Sequence, residues 1–456
     1  MRLQAGALLL WIAGSAAAQD DSAAGQVHIS VSGRADLTYA ARDRRLNESA
    51  LWIPGGLPPG SPIRATDTLV LPDVAVRFDI DSPIGAAAVE FGNLPLHFTD
   101  ADPRFQQDRL GGASAVELTL LQAWVEFLEV LRFGLQDFVW DPTGHGNPLF
   151  LAPSRSESPW GELPDSTVPP FPGFGTNTVP QTRRDQQRPV GLTARWGDTT
   201  FFALLALEGG NRNSDQSLAG GFYDTSIGDF RVGALLCVLA GNSWPRDGDK
   251  IVGTAGLTVT YAADSLFASA EAYLQRGDAG SYPGTPGLRA EGNAVRVQAG
   301  FGDTVRLQLT ATRVSGDRRG DDRKEGRFLS YEDNDATLIV EGNDFGLDVD
   351  SNYMTLQFSA AVPFQAGGMR IEPRVQVAAF RFLEAVPLPP DPPPGIGGRS
   401  RALGTEVDAG VDVAYTAQLA FTLAGAWLFN ARALENFTVD RDDRAWLLTL
   451  GARLRF

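Results

Sequence analysis

The chain has 456 residues, a formal net charge of −16, a single cysteine and three histidines. That acidity argues against nucleic acid or the anionic inner-membrane surface as partners, and one cysteine rules out an intramolecular disulfide. His28, His97 and His145 lie far apart with no metal-ligand spacing, so no cofactor or metal is expected.

The chain opens on Arg2, an apolar run over residues 3–13 and the small residues Ala16, Ala17 and Ala18, which is the pattern of a secretory signal peptide over residues 1–18. The apolar run is too short to span a membrane as a helix. Cleavage after Ala18 leaves 19–456 as the mature barrel domain, and loss of Arg2 takes the charge from −16 to −17. No later stretch offers about 18 uninterrupted apolar residues, which excludes a helical membrane protein.

In residues 27–39, Val27, Ile29, Val31, Ala35, Leu37 and Tyr39 alternate with polar neighbours. This two-residue period is that of a strand with lipid on one side and water on the other. After a Pro- and Gly-rich loop at 47–66, Val74, Val76, Phe78 and Ile80 alternate with Asp73, Arg77, Asp79 and Asp81. Asp81-Ser82-Pro83 then turns the chain back.

The same rhythm recurs to the end. Tight connections are readable near Glu129, at Gly197-Asp198, Ala263-Asp264 and Gly302-Asp303, over 363–368 and near Thr416; long ones fill 99–115, 140–189, 209–250, 277–291, 315–351, 384–404 and 430–444. Alternating short and long connections predict an all-β fold, a transmembrane antiparallel β-barrel with short periplasmic turns and long extracellular loops. The count is about 16 strands. It becomes 18 if 227–240, apolar on both faces from Val232 to Ala240, forms half of an extra hairpin rather than an in-folded loop element. Either number leaves an open lumen. The last stretch, RAWLLTLGARLRF, places Trp446, Leu448, Leu450, Ala452, Leu454 and Phe456 on one face, as a closing strand with an aromatic at each membrane interface requires.

Two loops stand out. Residues 140–189 are too rich in Pro and aromatics for a linker and are expected to fold over or into the lumen as a constriction. Residues 315–351 are strongly acidic around the apolar Thr337–Val340 and read as a solvated loop. The acidic runs 333–335 and 348–352 offer oxygen ligands but lack the ordered spacing of a calcium loop.

On the polar strand faces, Arg77, Arg132, Arg296, Arg306 and Arg374 are the candidate pore-lining residues, since rings of arginine favour anions. The competing reading makes them wall charges paired with Asp79, Glu126 or Glu372. Inward glutamines, among them Gln298, Gln308, Gln357 and Gln376, suit hydroxylated solutes.

The segment GRFLSYEDNDATLIVEGNDFGLDVDSNY at 326–353, the GLQD run at 134–137 and the terminal Phe456 resemble outer-membrane proteins of the alginate-export and related porin-like families. The resemblance extends over nearly all of the mature chain, although only these short pieces are specific. It implies a monomeric, wide barrel that passes an anionic polysaccharide through an arginine-lined constriction, with Phe456 as part of the signal read by the barrel-assembly machinery. This chain departs from that picture in its nearly balanced lumen charge and its acidic loops. The expected function is a channel in the outer membrane of a Gram-negative bacterium for small hydrophilic solutes or such a polysaccharide. A general diffusion porin, an adhesin or anchor displaying the acidic loops, and a barrel enzyme are the alternatives. An enzyme needs a nucleophile with a positioned base, and neither a G-x-S-x-G nor an H-E-x-x-H motif is present.

Intact-mass measurement of the membrane-extracted protein is expected to show a chain beginning at Gln19. A mass that retains 1–18 contradicts the signal-peptide reading.

Overall fold

The computed structural model describes residues 27–43, 66–92, 97–99, 119–136, 140, 149–150, 190–206, 216–242, 249–263, 265–280, 287–302, 304–316, 324–326, 328, 337–341, 349, 352–384, 400–432 and 443–456. The signal peptide expected at 1–18, His145, most of the 140–189 loop and the acidic run 333–335 lie outside them.

The alternating segments fold into one closed antiparallel barrel of 18 strands. In chain order they are β1 (His28–Arg42), β2 (Thr66–Ser82), β3 (Gly85–Gly92), β4 (Thr119–Phe127), β5 (Leu131–Leu135), β6 (Val190–Trp196), β7 (Thr199–Ala206), β8 (Gln216–Ile227) and β9 (Phe230–Asn242). They continue as β10 (Asp249–Ala263), β11 (Leu266–Asp278), β12 (Asn293–Phe301), β13 (Arg306–Val314), β14 (Tyr353–Ala361), β15 (Met369–Phe382), β16 (Ala402–Ala414), β17 (Leu419–Phe429) and β18 (Ala445–Arg455). Short pieces at His97–Thr99, Arg289–Ala290, Lys324–Glu325 and Phe364–Ala366 extend neighbouring ladders.

Each strand pairs with its successor, and β1 pairs with β18 in a register running from Arg34 opposite Arg455 to Arg42 opposite Leu447. Closure is obligatory in hydrocarbon, where an unpaired backbone group costs several kcal/mol. Beyond the ladder, Gly33 N donates to Phe456 O at 2.7 Å and Phe456 N donates to Gly33 O at 3.0 Å. Gly33 also makes room for the terminal ring, because a Cβ there would stand 2.4 Å from Phe456 Cζ. An aromatic side chain thus covers a glycine at the seam, a device that pins strand register.

Every expected tight connection that falls on described residues is found. Leu128 and Glu129 have φ of 52° and 58°, the left-handed pair of a type I′ hairpin turn. The connection that the periodicity left open is Gly228-Asp229, where Gly228 takes φ 60° as Gly197 takes 58°. It joins β8 to β9, so the larger of the two counts holds. The reason that β9 looks apolar on both faces is plain in its exposure: Leu236 is 69% exposed on the lipid side, whereas Leu235, on the inner side, is 1% exposed and packed against inserted chain.

The outer surface elsewhere carries the same alternation. Phe127, Trp196, Phe230, Phe301, Phe364 and Tyr415 are exposed at the end with tight turns, and Trp427 faces Trp446 across β17 and β18 at the other end. An apolar belt rimmed by aromatics at both interfaces is the surface of an outer-membrane barrel, and that is where this protein resides.

Leu450→Arg, which puts a charge on the lipid face midway along β18, is expected to cost about 2–4 kcal/mol in denaturant unfolding. The same change at Thr449, on the lumen face, should be tolerated; equal losses at both positions contradict the face assignment.

Candidate functional site in the barrel lumen

Part of the lumen is filled by the chain itself. Trp140, Leu149 and Phe150, from the loop after β5, are buried inside the barrel. They meet an inner wall made apolar by Phe202, Leu218, Leu235, Cys237 and Leu239. Trp140 lies 5.8 Å from Phe222 and 6.2 Å, edge-on, from Tyr273; Phe150 lies 5.4 Å from Tyr273 and 5.9 Å from Phe328. Such aromatic pairs add about 0.5–1.5 kcal/mol each beyond area burial. Gly256 on β10 admits the Tyr273 ring, since a Cβ there would come within 2.6 Å of it. Of the 140–189 loop, expected to fold over or into the lumen, the described residues Trp140, Leu149 and Phe150 pack against the inner wall.

The acidic loop after β13 also enters, which the sequence reading of a solvated loop did not anticipate. Its apolar stretch is the inserted part: Ile339, Val340 and Val349 are fully buried, as is Phe328. Buried backbone amides need acceptors, and carboxylates on the wall supply them. Glu406 of β16 is 0% exposed and accepts Ile339 N on Oε1 at 2.6 Å and Val340 N on Oε2 at 2.9 Å. Glu271 of β11 accepts Leu149 N at 3.1 Å and Tyr273 Oη at 3.0 Å, both on Oε2, and faces Arg296 at 3.3 Å through Oε1. Glu341, within the inserted stretch, accepts Tyr353 Oη at 2.9 Å and Gln357 Nε2 at 3.0 Å.

All five candidate arginines lie on inner strand faces, and each has a carboxylate partner. Arg77 meets Asp79 at 2.7 Å, Arg132 meets Glu126 at 2.6 Å, Arg306 meets Glu372, and Arg374 meets Asp412 at 3.6 Å. The pairings with Asp79, Glu126 and Glu372 are those the competing reading named. Arg77 and Arg132 are half-buried, and Arg306 and Arg374 are more exposed. Arg296, paired with Glu271 at 3.3 Å, is only 3% exposed. The five are therefore not one ring.

A second group forms around Trp124. The Arg132 guanidinium stacks 4.0 Å from its ring centroid, Arg77 lies at 5.9 Å, and Trp124 Nε1 donates to Gln122 at 3.2 Å. Gln122 in turn donates to Glu90 at 3.1 Å, and Glu90 pairs with Arg34 at 3.2 Å. Three cations and the carboxylates Asp79, Glu90 and Glu126 thus line β1–β5. The inward glutamines take mixed partners: Gln308 donates to Thr310 at 3.0 Å, and Gln298 accepts from Ser269 at 3.2 Å. Of the acidic run 348–352, Asn352 spends its side chain on Glu384, accepting from the backbone N at 2.9 Å and donating to the backbone O at 3.1 Å. Among the described residues no cluster of carboxylates, His and Cys has the makings of a metal site.

No protein-family model and no curated protein matches the chain. Solved structures do. Pseudomonas aeruginosa OccK5 (OpdH) superposes with a TM-score of 0.50 at 13% identity, over 95% of this chain and 100% of that one. Pseudomonas aeruginosa OpdO does so with a TM-score of 0.50 at 12% identity, over 94% and 97%. The likeness is one of fold, a porin-like outer-membrane β-barrel.

Burial pushes the Glu341 carboxyl from an ordinary 4.5 up to about 8; Glu406 adds to the rise, while Arg296, Tyr353 and Gln357 oppose it. A carboxyl raised on folding stabilises the docked state fully below its unfolded value, and that stability is lost as pH rises through the folded one. Amide-exchange protection over 337–341, corrected for intrinsic rates, is therefore expected to fall as pH rises from about 4.5 through about 8. In Glu341→Gln the fall should become smaller; an unchanged pH profile in that variant removes Glu341 as a cause.

Proposed function

We propose that this protein is a passive outer-membrane channel for small hydrophilic solutes. The observation that carries the reading is a closed 18-strand barrel whose lumen is narrowed by inserted chain on one side and lined on the other by partly exposed, paired charges. Barrels of this width enclose an aqueous path unless plugged. Arg77, Arg132, Arg306 and Arg374 line that path, whereas Arg296 supports the constriction.

Pairing shapes the selectivity. A guanidinium within 4 Å of a carboxylate presents a local dipole rather than a net charge, so solutes are sorted by size and hydrogen bonding more than by sign. Passage of an anionic polysaccharide such as alginate is the finer reading implied by the resemblance. The inserted residues around Phe150 and Val340 favour the smaller solute, because they take up room that a polymer needs. The same reading treats 1–18 as an export signal and Phe456 as the residue the assembly machinery recognises.

Planar-bilayer recording tests the proposal. The wild type is expected to conduct with weak ion selectivity, and joint neutralisation of Arg77, Arg132, Arg306 and Arg374 should shift the reversal potential toward cations, because their carboxylate partners keep their charge. A correctly assembled wild type that passes no ions overturns the channel. Selectivity that does not change in the quadruple variant overturns the role of the arginines.

A further inference from the structure

The two inserted stretches come from different loops but are held alike. In each case a buried wall carboxylate accepts backbone N–H from the incoming chain: Glu406, 0% exposed, takes two consecutive amides at 2.6 and 2.9 Å, and Glu271, 3% exposed, takes Leu149 N at 3.1 Å. The stretches also touch one another, since Phe328 packs 5.9 Å from Phe150 and 6.0 Å from Tyr273. Removing such an acceptor leaves buried amides without a partner, which favours their return to water. Because the amides belong to loop chain and the carboxylates to strands, undocking would leave the barrel ladder untouched.

We infer that Glu271 and Glu406 are the positioning residues that set the size limit of the channel, by holding two loop segments inside the lumen. The inference rests on the channel reading above and adds to it which residues determine the solute class. Neither carboxylate need touch the solute. Each acts through the segment it holds.

The test is Glu406→Gln and Glu271→Gln, singly and together, in planar bilayers with neutral polyethylene glycols of graded size as probes. A glutamine side chain offers one acceptor where the carboxylate offered two, and in Glu406→Gln its NH2 would face an amide N–H. Both single variants are expected to admit larger polymers and to conduct more than the wild type, with the double variant largest, while heat-modifiable migration on gels stays that of the folded barrel. Exchange of the Ile339 and Val340 amides in Glu406→Gln should speed up by about tenfold or more, the loss of a buried hydrogen bond. A neutral polymer reports size and not charge, so an unchanged cut-off in folded variants of a conducting protein overturns the inference and leaves the channel standing. If the wild type and all variants are silent, the channel reading fails, and the inference with it. If neither single variant assembles, the inference fails in another way: the carboxylates are then supports of the barrel itself.

Discussion

A strand that lies in hydrocarbon must hand every backbone N–H and C=O to a neighbour, and the only sheet that satisfies this is one without edges. The meeting of β1 with β18, ended by the two bonds between Gly33 and Phe456, is therefore the contact on which the rest depends. Once the sheet is closed, strand number fixes width, and 18 strands enclose more space than their own inward side chains fill. The lumen must then hold either water or more protein. This chain uses both: inserted protein against β7–β11 and β14–β16, and a polar, charged surface along β1–β5.

The inserted protein brings buried charge with it, and there the energetics run against simple intuition. A carboxylate moved out of water loses several kcal/mol of hydration, which only well-placed donors and counter-charges offset. Glu271 has a backbone amide, a phenol and a guanidinium, and Glu406 has two amides. These groups contribute little net stability and much definition, because an apolar segment alone has many ways to lie against an apolar wall. A pair of amides aimed at one carboxylate has few. Arg296 serves the same end as counter-charge to Glu271, which accounts for its burial where the other four candidate arginines are half-exposed.

Much of this was legible in the sequence. The two-residue period of 27–39 and of the closing strand, the short and long connections and the terminal aromatic all speak to local geometry, which is why the barrel follows from them. The partners of Arg77 and Arg132 were legible too, one two residues along the same strand and the other directly opposite on the neighbouring strand, whereas Glu372, the partner of Arg306, lies two strands away. What resisted reading was whatever depends on loops entering the lumen. Val232 to Ala240 has a periodic lipid face, hidden because its inner face is also dry. Glu271 and Glu406 looked like any other carboxylate on a wet face, since nothing local distinguishes an acid facing water from one facing the amides of a segment more than 60 residues away. The one available signal was the apolar tetrad Thr337–Val340, which has no reason to stand in an acidic loop unless it goes inside.

The apolar inner face of β7–β9 has a consequence for how the gene can vary. In a water-filled pore, inward positions drift freely among polar residues, but Phe202, Leu218, Leu235 and Leu239 pack with chain from a distant loop and can change only in step with Trp140, Leu149 and Phe150. Among the described residues, the wall of β1–β5 shows no such tie. One circumference thus carries two evolutionary clocks, a slow one where the barrel has a core and a fast one where it has a surface, and homologues with new solute preferences should differ mostly along β1–β5.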